Sequence, residues 1–135
     1  MFKRLMSTQL RPSMLNFGLL FLRLTIGSMM LTHGYSKFSR LLEGNLSFSD
    51  PLGIGSELSF LLVVLAEFFS AIALIFGFWT RINAFLLSFT MFIAAFIRHA
   101  DDLFPQQEKS LMYLAVFLFF LFVGGGKYSV DDKIN

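Results

Sequence analysis

The chain has 135 residues, 56% of them hydrophobic and 15% charged, with 19 Phe and a formal net charge of +2. Soluble domains are about half apolar and about a quarter charged, so this composition excludes an ordinary soluble domain and makes lipid the relevant solvent. The thin, dispersed charge forms no basic stripe to follow a phosphate backbone, which excludes nucleic acid as a partner. The absence of cysteine removes thiol exchange, iron–sulfur ligation and sulfur carriage by the chain itself, and leaves the redox compartment open.

Four apolar stretches follow one another: Met14 to Leu31, Leu58 to Trp79, Ile82 to Ile97 and Ser110 to Gly126. A hydrocarbon core of about 30 Å is crossed by roughly 17 to 25 helical residues. Each stretch therefore predicts a transmembrane helix. The expected fold class is all-α, a four-transmembrane-helix bundle in one membrane domain over residues 1–135, with helices at about 14–36, 57–78, 82–99 and 108–125. Lys3, Arg4 and Arg11 ahead of the first stretch could introduce a cleaved signal instead. The length of the run, the Arg23 inside it and the ending Leu31-Thr32-His33-Gly34-Tyr35, which lacks a small-x-small pattern, predict that the first helix is retained.

The first connection, Ser39 to Glu57, is the longest and carries the turn signals Gly44-Asn45, Asp50-Pro51 and Gly53-Ile54-Gly55. The second and third helices are joined only by Gly77-Phe78-Trp79-Thr80-Arg81, which predicts antiparallel neighbours. The connection from His99 to Lys109 is polar, and Pro105 separates the last two helices. Four crossings place both termini on one side. That side holds six of the flanking basic residues (Lys3, Arg4, Arg11, Arg81, Lys127, Lys133) against four on the other (Lys37, Arg40, Arg98, Lys109), so both termini are expected to be cytoplasmic. His33 and His99 then end the first and third helices on the far side, level with Lys37, Glu108 and Lys109.

Arg23 and Glu67 interrupt the first two apolar runs near their centres. A charge at mid-bilayer costs on the order of 2.5 to 3.5 kcal/mol on insertion scales, so each needs a partner. At about 100° per residue, Arg23, Gly27, Gly34 and Lys37 share one stripe, with His33 at its edge. Glu67 shares a face with Ser70 and Ala71, and Ala84, Ser88, Ala95 and His99 align on the third helix. The simplest expectation is a mutual Arg23–Glu67 ion pair, which either fixes helix registry or lines a polar cavity. His33 and His99, with Glu108 nearby, allow three readings: a metal or haem site, for which two histidines with no third ligand are a weak signal and no metal is assigned; hydrogen bonding and proton transfer to a quinone carbonyl; or plain caps of helix C-termini. Trp79, Tyr35, Tyr113 and Tyr128 are placed as interfacial belt residues. Gly124-Gly125-Gly126 follows no strand, and reads as a helix cap rather than a phosphate loop.

Arg23-Leu24, Gly27 and His33-Gly34-Tyr35-Ser36-Lys37-Phe38 together resemble the first-helix signature of the DoxX family. The resemblance continues through Glu67, Leu74, Gly77, Thr80-Arg81, Ala84, Met91, Ala94 and His99 to the closing Gly124-Gly125-Gly126-Lys127-Tyr128-Ser129-Val130-Asp131. It spans Asn16 to Asp131. It implies a four-helix protein of the bacterial inner membrane, in a family named for a subunit of quinone-dependent oxidation of sulfur compounds, some relatives of which anchor soluble redox partners. Arg23, His33, Lys37, Glu67, Arg81 and His99 occupy the family's polar motif positions, and the resemblance gives none of them a chemical role.

The expected function is a membrane component of a redox system, a subunit of a quinone-linked oxidoreductase complex in which Arg23, His33, Lys37, Glu67 and His99 bind a quinone or similar headgroup between helices, or which anchors a soluble oxidoreductase, or both. Its expected partners are the lipid bilayer, other redox proteins and a second copy of the chain. The alternatives are a non-catalytic assembly or scaffold subunit and a small-solute transporter, although no strong inverted repeat supports transport.

Overall fold

The structure, a computed structural model, describes residues 1–135, and every regular element in it is helical. Four helices are long and apolar enough to cross a membrane: Pro12–Leu42, Ser56–Phe76, Thr80–Arg98 and Phe104–Val123. Short helical turns at Phe2–Leu5 and Val130–Ile134 flank them.

The first span departs most from expectation. Pro12 sits in its first turn, where the missing N–H costs nothing, and the helix runs 31 residues to Leu42 before Gly44 adopts a positive φ. That is about 46 Å of rise, well beyond a hydrocarbon core of about 30 Å. The polar turn Thr32 to Lys37, after the apolar run, is therefore helical throughout. Its side chains are carried down one wall of the bundle instead of fraying into a loop.

The long connection is pinned at its far end. Asp50 accepts from the N–H groups of Ile54 and Gly55, both at 2.9 Å, and from the Ser59 hydroxyl at 3.2 Å, which fastens the loop to the start of the second span. Arg40 lies over the Phe60 ring at 5.0 Å and bonds the Ser47 carbonyl, so the end of the first span holds the same loop. The second span ends on Gly77 in the left-handed region, with Phe78 N–H bonded to the Ala73 carbonyl at 2.9 Å and Gly77 N–H to that of Leu74 at 3.0 Å. This paired closure reverses the chain within three residues into the third span.

Each span packs against the next in sequence. Between the first and fourth spans the core closes through side chains: Leu19 and Met30 meet Tyr113, Phe117 and Phe120 in one buried cluster that also holds Leu74, Leu87 and Met91. Phe85, Phe89, Phe92 and Phe96 line the outer face of the third span, half exposed, as a lipid-facing surface would be.

Two irregular stretches interrupt the α geometry. Leu65–Ser70 in the second span and Ala94–Arg98 in the third are π-helical. Such turns insert an extra residue into the helix and recur at functional sites. Glu67 is carried by the first of them, and Gly34 of the first span lies directly against its backbone: a Cβ on Gly34 would overlap the Glu67 carbonyl. A side chain there must push the first span off the second. Gly34→Val is expected to cost about 1–3 kcal/mol or more through overpacking. Gly18→Ala, where nothing lies within 4 Å of the added Cβ, should be neutral or slightly stabilising. Thermal unfolding in detergent compares the two, and equal melting temperatures would show that the close approach at Gly34 has no stabilising role.

Candidate functional site

Arg23 and Glu67, expected as partners, are not paired. Arg23 is 2% exposed and spends its donors on backbone: Nε to the Ile75 carbonyl at 3.0 Å, and the two terminal nitrogens to the Gly125 and Tyr128 carbonyls at 2.6 Å each. Glu67 instead accepts from Lys37 Nζ at 2.5 Å, with side-chain exposures of 9% and 22%. The physical reason is depth. Placing Arg23 at the centre of its apolar run set it level with Glu67, but the first span continues eleven residues past the end of that run at Leu31. Arg23 packs at the level of Ile75, beside the end of the second span, whereas Glu67 packs at the level of Gly34, about 16 Å further along the first.

The terminal end of the bundle is therefore a lock. Gly77 leaves room for the guanidinium, since a Cβ on it would come within 3.0 Å of the Arg23 carbon. The Gly77 carbonyl accepts from Asp131 N–H at 2.9 Å. The Asp131 carboxylate accepts from the N–H groups of Trp79 at 2.7 Å and Thr80 at 2.8 Å, capping the third span from 51 residues away in sequence. Trp79 precedes that span in the left-handed region without a side-chain cap of its own, so Asp131 serves as one. Ser129 caps the last short helix, and Asn16 Oδ1 accepts from Lys127 N–H at 3.0 Å. Gly124 ends the fourth span, as read from the sequence, but Gly125 and Tyr128 also supply acceptors for Arg23. Arg81 is exposed at this same end, far along the third span from His99.

At the opposite end, four of the five expected site residues converge. His33, Lys37, Glu67 and His99, from three different spans, line one cavity of about 360 Å³; Arg23 does not reach it. Sequence reasoning had Tyr113 as a belt residue, but it is only 8% exposed and forms part of the chamber wall, its ring edge-on to His33 with centroids 6.1 Å apart. Lys109 and Ser110, three to four residues before Tyr113 on the fourth span, line the same cavity with Gln106. Their helical spacing was the signal for this wall. His99 Nδ1 lies 2.6 Å from Asp102 Oδ2, and Gln107 Nε2 donates to the His99 carbonyl at 2.8 Å, so the end of the π-helical turn is tied to the fourth span. Nowhere in the chain do three His, Cys, Asp or Glu side chains gather as a metal site requires.

A second cavity of about 280 Å³ adjoins the first, sharing Lys37, Glu67, Ala94 and His99 with it. The Lys37–Glu67 pair thus stands between a polar chamber and a largely apolar groove between the second and third spans.

Four membrane-length helices around a polar chamber define a multi-pass α-helical membrane protein. The family model described as DoxX matches residues 18–100, more than half of the sequence, and the chain belongs to the DoxX family. It is 34% identical over 124 residues to a protein of Haemophilus influenzae described as uncharacterized, covering 87% of this chain and 90% of that one. It is 32% identical over 126 residues to the inner membrane protein YqjF of Escherichia coli K12, covering 87% and 92%. No solved structure matches. Kinship and spans together make this a multi-pass protein of the bacterial inner membrane.

The lock is directly testable. Arg23→Gln leaves buried carbonyls without donors, at about 1–3 kcal/mol for each one orphaned, so it should sharply reduce the yield of folded protein. Arg23→Lys should rescue little, because one ammonium cannot span the three carbonyls. For Asp131, burial pushes the carboxyl up, but hydrogen bonds from Thr80 and Trp79 and the Arg23 charge outweigh it and hold it below the ordinary carboxylate value. A depressed folded value gives stability that is present above the unfolded pKa of about 3.9 and lost as pH falls through the folded one. Melting temperatures of wild type and Asp131→Asn should therefore differ at pH 7 and converge on acidification below about pH 4. A gap that persists unchanged in acid would contradict the capping role of the carboxylate.

Proposed function

We propose that the protein is a membrane component of a redox system that holds the headgroup of a lipid-soluble quinone in the chamber between His33, Lys37, Glu67 and His99. The observation that carries this reading is the convergence of those residues, with Lys109 and Tyr113, on one cavity that adjoins a largely apolar groove. Ligand pockets of about 300–1,000 Å³ with a few convergent polar groups among apolar walls are the usual form of a small-molecule site. The donor set suits a ring with carbonyl oxygens. Lys37 and Lys109 donate and never accept, His33 carries one donor nitrogen in either tautomer, and His99, whose Nδ1 faces Asp102, donates from Nε2 when it is protonated. Intramembrane ionisable residues that face the bundle interior favour a functional reading over a purely structural one.

A bound quinone would supply acceptance of two electrons from a separate redox protein together with two protons. The chain's own part is positional and protonic. Glu67 holds Lys37 at 2.5 Å, which fixes the ammonium at the chamber edge and balances its charge. Asp102 orients the His99 ring at the outer mouth, where solvent protons arrive. His33 is set deeper, with its ring held by the edge of Tyr113. The excess of basic residues around the terminal end supports an orientation with both termini cytoplasmic and the chamber mouth on the periplasmic side.

A scaffold reading is favoured by a specific observation of its own. Arg23 and Glu67 both find partners inside the chain, as they would in a bundle built only to pack or to anchor a redox partner. The two readings separate on ligand binding. Protein purified in mild detergent should carry extractable quinone, and should bind a quinone analogue with affinity lowered about tenfold, ~1.4 kcal/mol, in each of His33→Ala and His99→Ala. Unchanged affinity in both variants would overturn the proposed site and leave the scaffold.

A further inference from the structure

We propose, resting on the headgroup reading, that the groove between the second and third spans is the slot for the quinone's isoprenoid tail, through which the molecule enters sideways from the bilayer.

Continuity is the first support. The groove and the chamber share Lys37, Glu67, Ala94 and His99, so only these side chains separate them, and a molecule that displaces the Lys37 ammonium from between them can lie across both. Ala94 presents only a methyl group at this junction.

The lining then changes character in the way a head-and-tail molecule demands. On the chamber side stand His33, Gln106, Lys109 and Ser110. On the groove side stand Leu62, Val63, Phe89 and Ile93, apolar side chains on two facing spans, with Ser59, Thr90 and Arg98 as the polar members of the same walls. Leu62 and Phe89 are 48% and 52% exposed and belong to the lipid-facing surface, so the groove's lip meets hydrocarbon. A largely apolar slot with a lipid-facing lip and charged residues where it borders the chamber fits a molecule dissolved in the membrane better than a solute from water.

The long connection limits the other route. Phe48, Leu52 and Ile54 cover the outer end of the groove, and the Asp50 clamp, together with Phe48 against Phe60 at 5.6 Å, holds that cover in place. Both spans that border the groove turn π-helical at the junction, at Leu65–Ser70 and Ala94–Arg98. These irregular turns carry Glu67 and lead into His99, polar residues that the cleft shares with the chamber.

The experiment uses the full chain in lipid nanodiscs and a quinone carrying a photoreactive diazirine on its tail, with adducts mapped by mass spectrometry. Adducts are expected on Leu62, Val63, Phe89 and Ile93, lost on addition of excess unlabelled quinone and lost in Val63→Phe and Ile93→Phe, which fill the slot. Competition on the wild type keeps the proposal falsifiable even where a variant folds poorly. Adducts spread over all lipid-facing residues and insensitive to competitor overturn it. So does labelling of the groove by a diazirine phospholipid that quinone fails to displace, which would make it a lipid site. A parallel titration with a tail-less quinone separates the two levels: if the head binds in a His33-dependent manner but the tail labels no groove residue, the slot is wrong and the headgroup reading stands. If neither binds, both fall.

Discussion

The structure depends on how one buried guanidinium is satisfied. An arginine inside an apolar helix is costly to place in a membrane, and Arg23 is almost wholly removed from solvent. No carboxylate meets it directly. It collects carbonyl oxygens from the end of the second span and from the segment after the fourth, and each hydrogen bond to a charged group contributes about 1.5–3 kcal/mol. Carbonyls suit this purpose because they carry no desolvation cost of an ion of their own. Meeting them requires that the chain after Val123 fold back across the bundle end, which Gly125 and Gly126 permit by letting backbone pass where side chains of Thr80 and Leu19 already stand. Asp131 then reaches the exposed start of the third span. One cation thereby ties the first, second and third spans to the chain's last residues.

That arrangement decides which charges remain free for chemistry. Had Arg23 paired with Glu67, the two would have neutralised each other in the interior and Lys37 would have been left to solvent. Because Arg23 is held at the level of Ile75, about 16 Å along the first span from Gly34 and the turn that carries Glu67, Glu67 is left to Lys37, a residue long enough to reach inward from near the end of the first span. The Lys37–Glu67 pair is partly open, bordering cavities on both sides. Such a pair keeps more hydration than a fully enclosed one, and either member can exchange its partner for a ligand at smaller cost.

Much of this was legible in the sequence. Length, hydropathy and the short Gly77 turn gave four antiparallel spans, because each is a local property of a contiguous stretch. That His33, His99 and Lys109 lie at one end of the bundle followed from topology alone. The Arg23–Glu67 pairing failed because the depth of a residue was read from its apolar run, and the polar residues Thr32 to Lys37 continue the helix without adding to the run. Nothing in the sequence marks Leu65–Ser70 or Ala94–Arg98 as π-helical, since both are apolar-rich stretches that read as ordinary helix. Tyr113 was placed by its type, as an interfacial aromatic, when its spacing from Lys109 and Ser110 carried the better information.

The two ends of the bundle divide their labour through the same residue types. At the terminal end, glycine, serine and aspartate serve backbone hydrogen bonds, and each of the three nitrogens of the cation among them donates to a carbonyl. At the histidine end, glycine serves close approach: Gly34 brings the first span onto the π-helical turn that carries Glu67. Moving the first span away would widen the gap that Lys37 must bridge and open the chamber along its side. Close backbone packing is thus what keeps a polar chamber small inside a bundle whose driving forces are otherwise van der Waals contacts with partners no more apolar than the lipid. The lock at one end holds the spans together, and the contact at Gly34 sets how near they stand at the other.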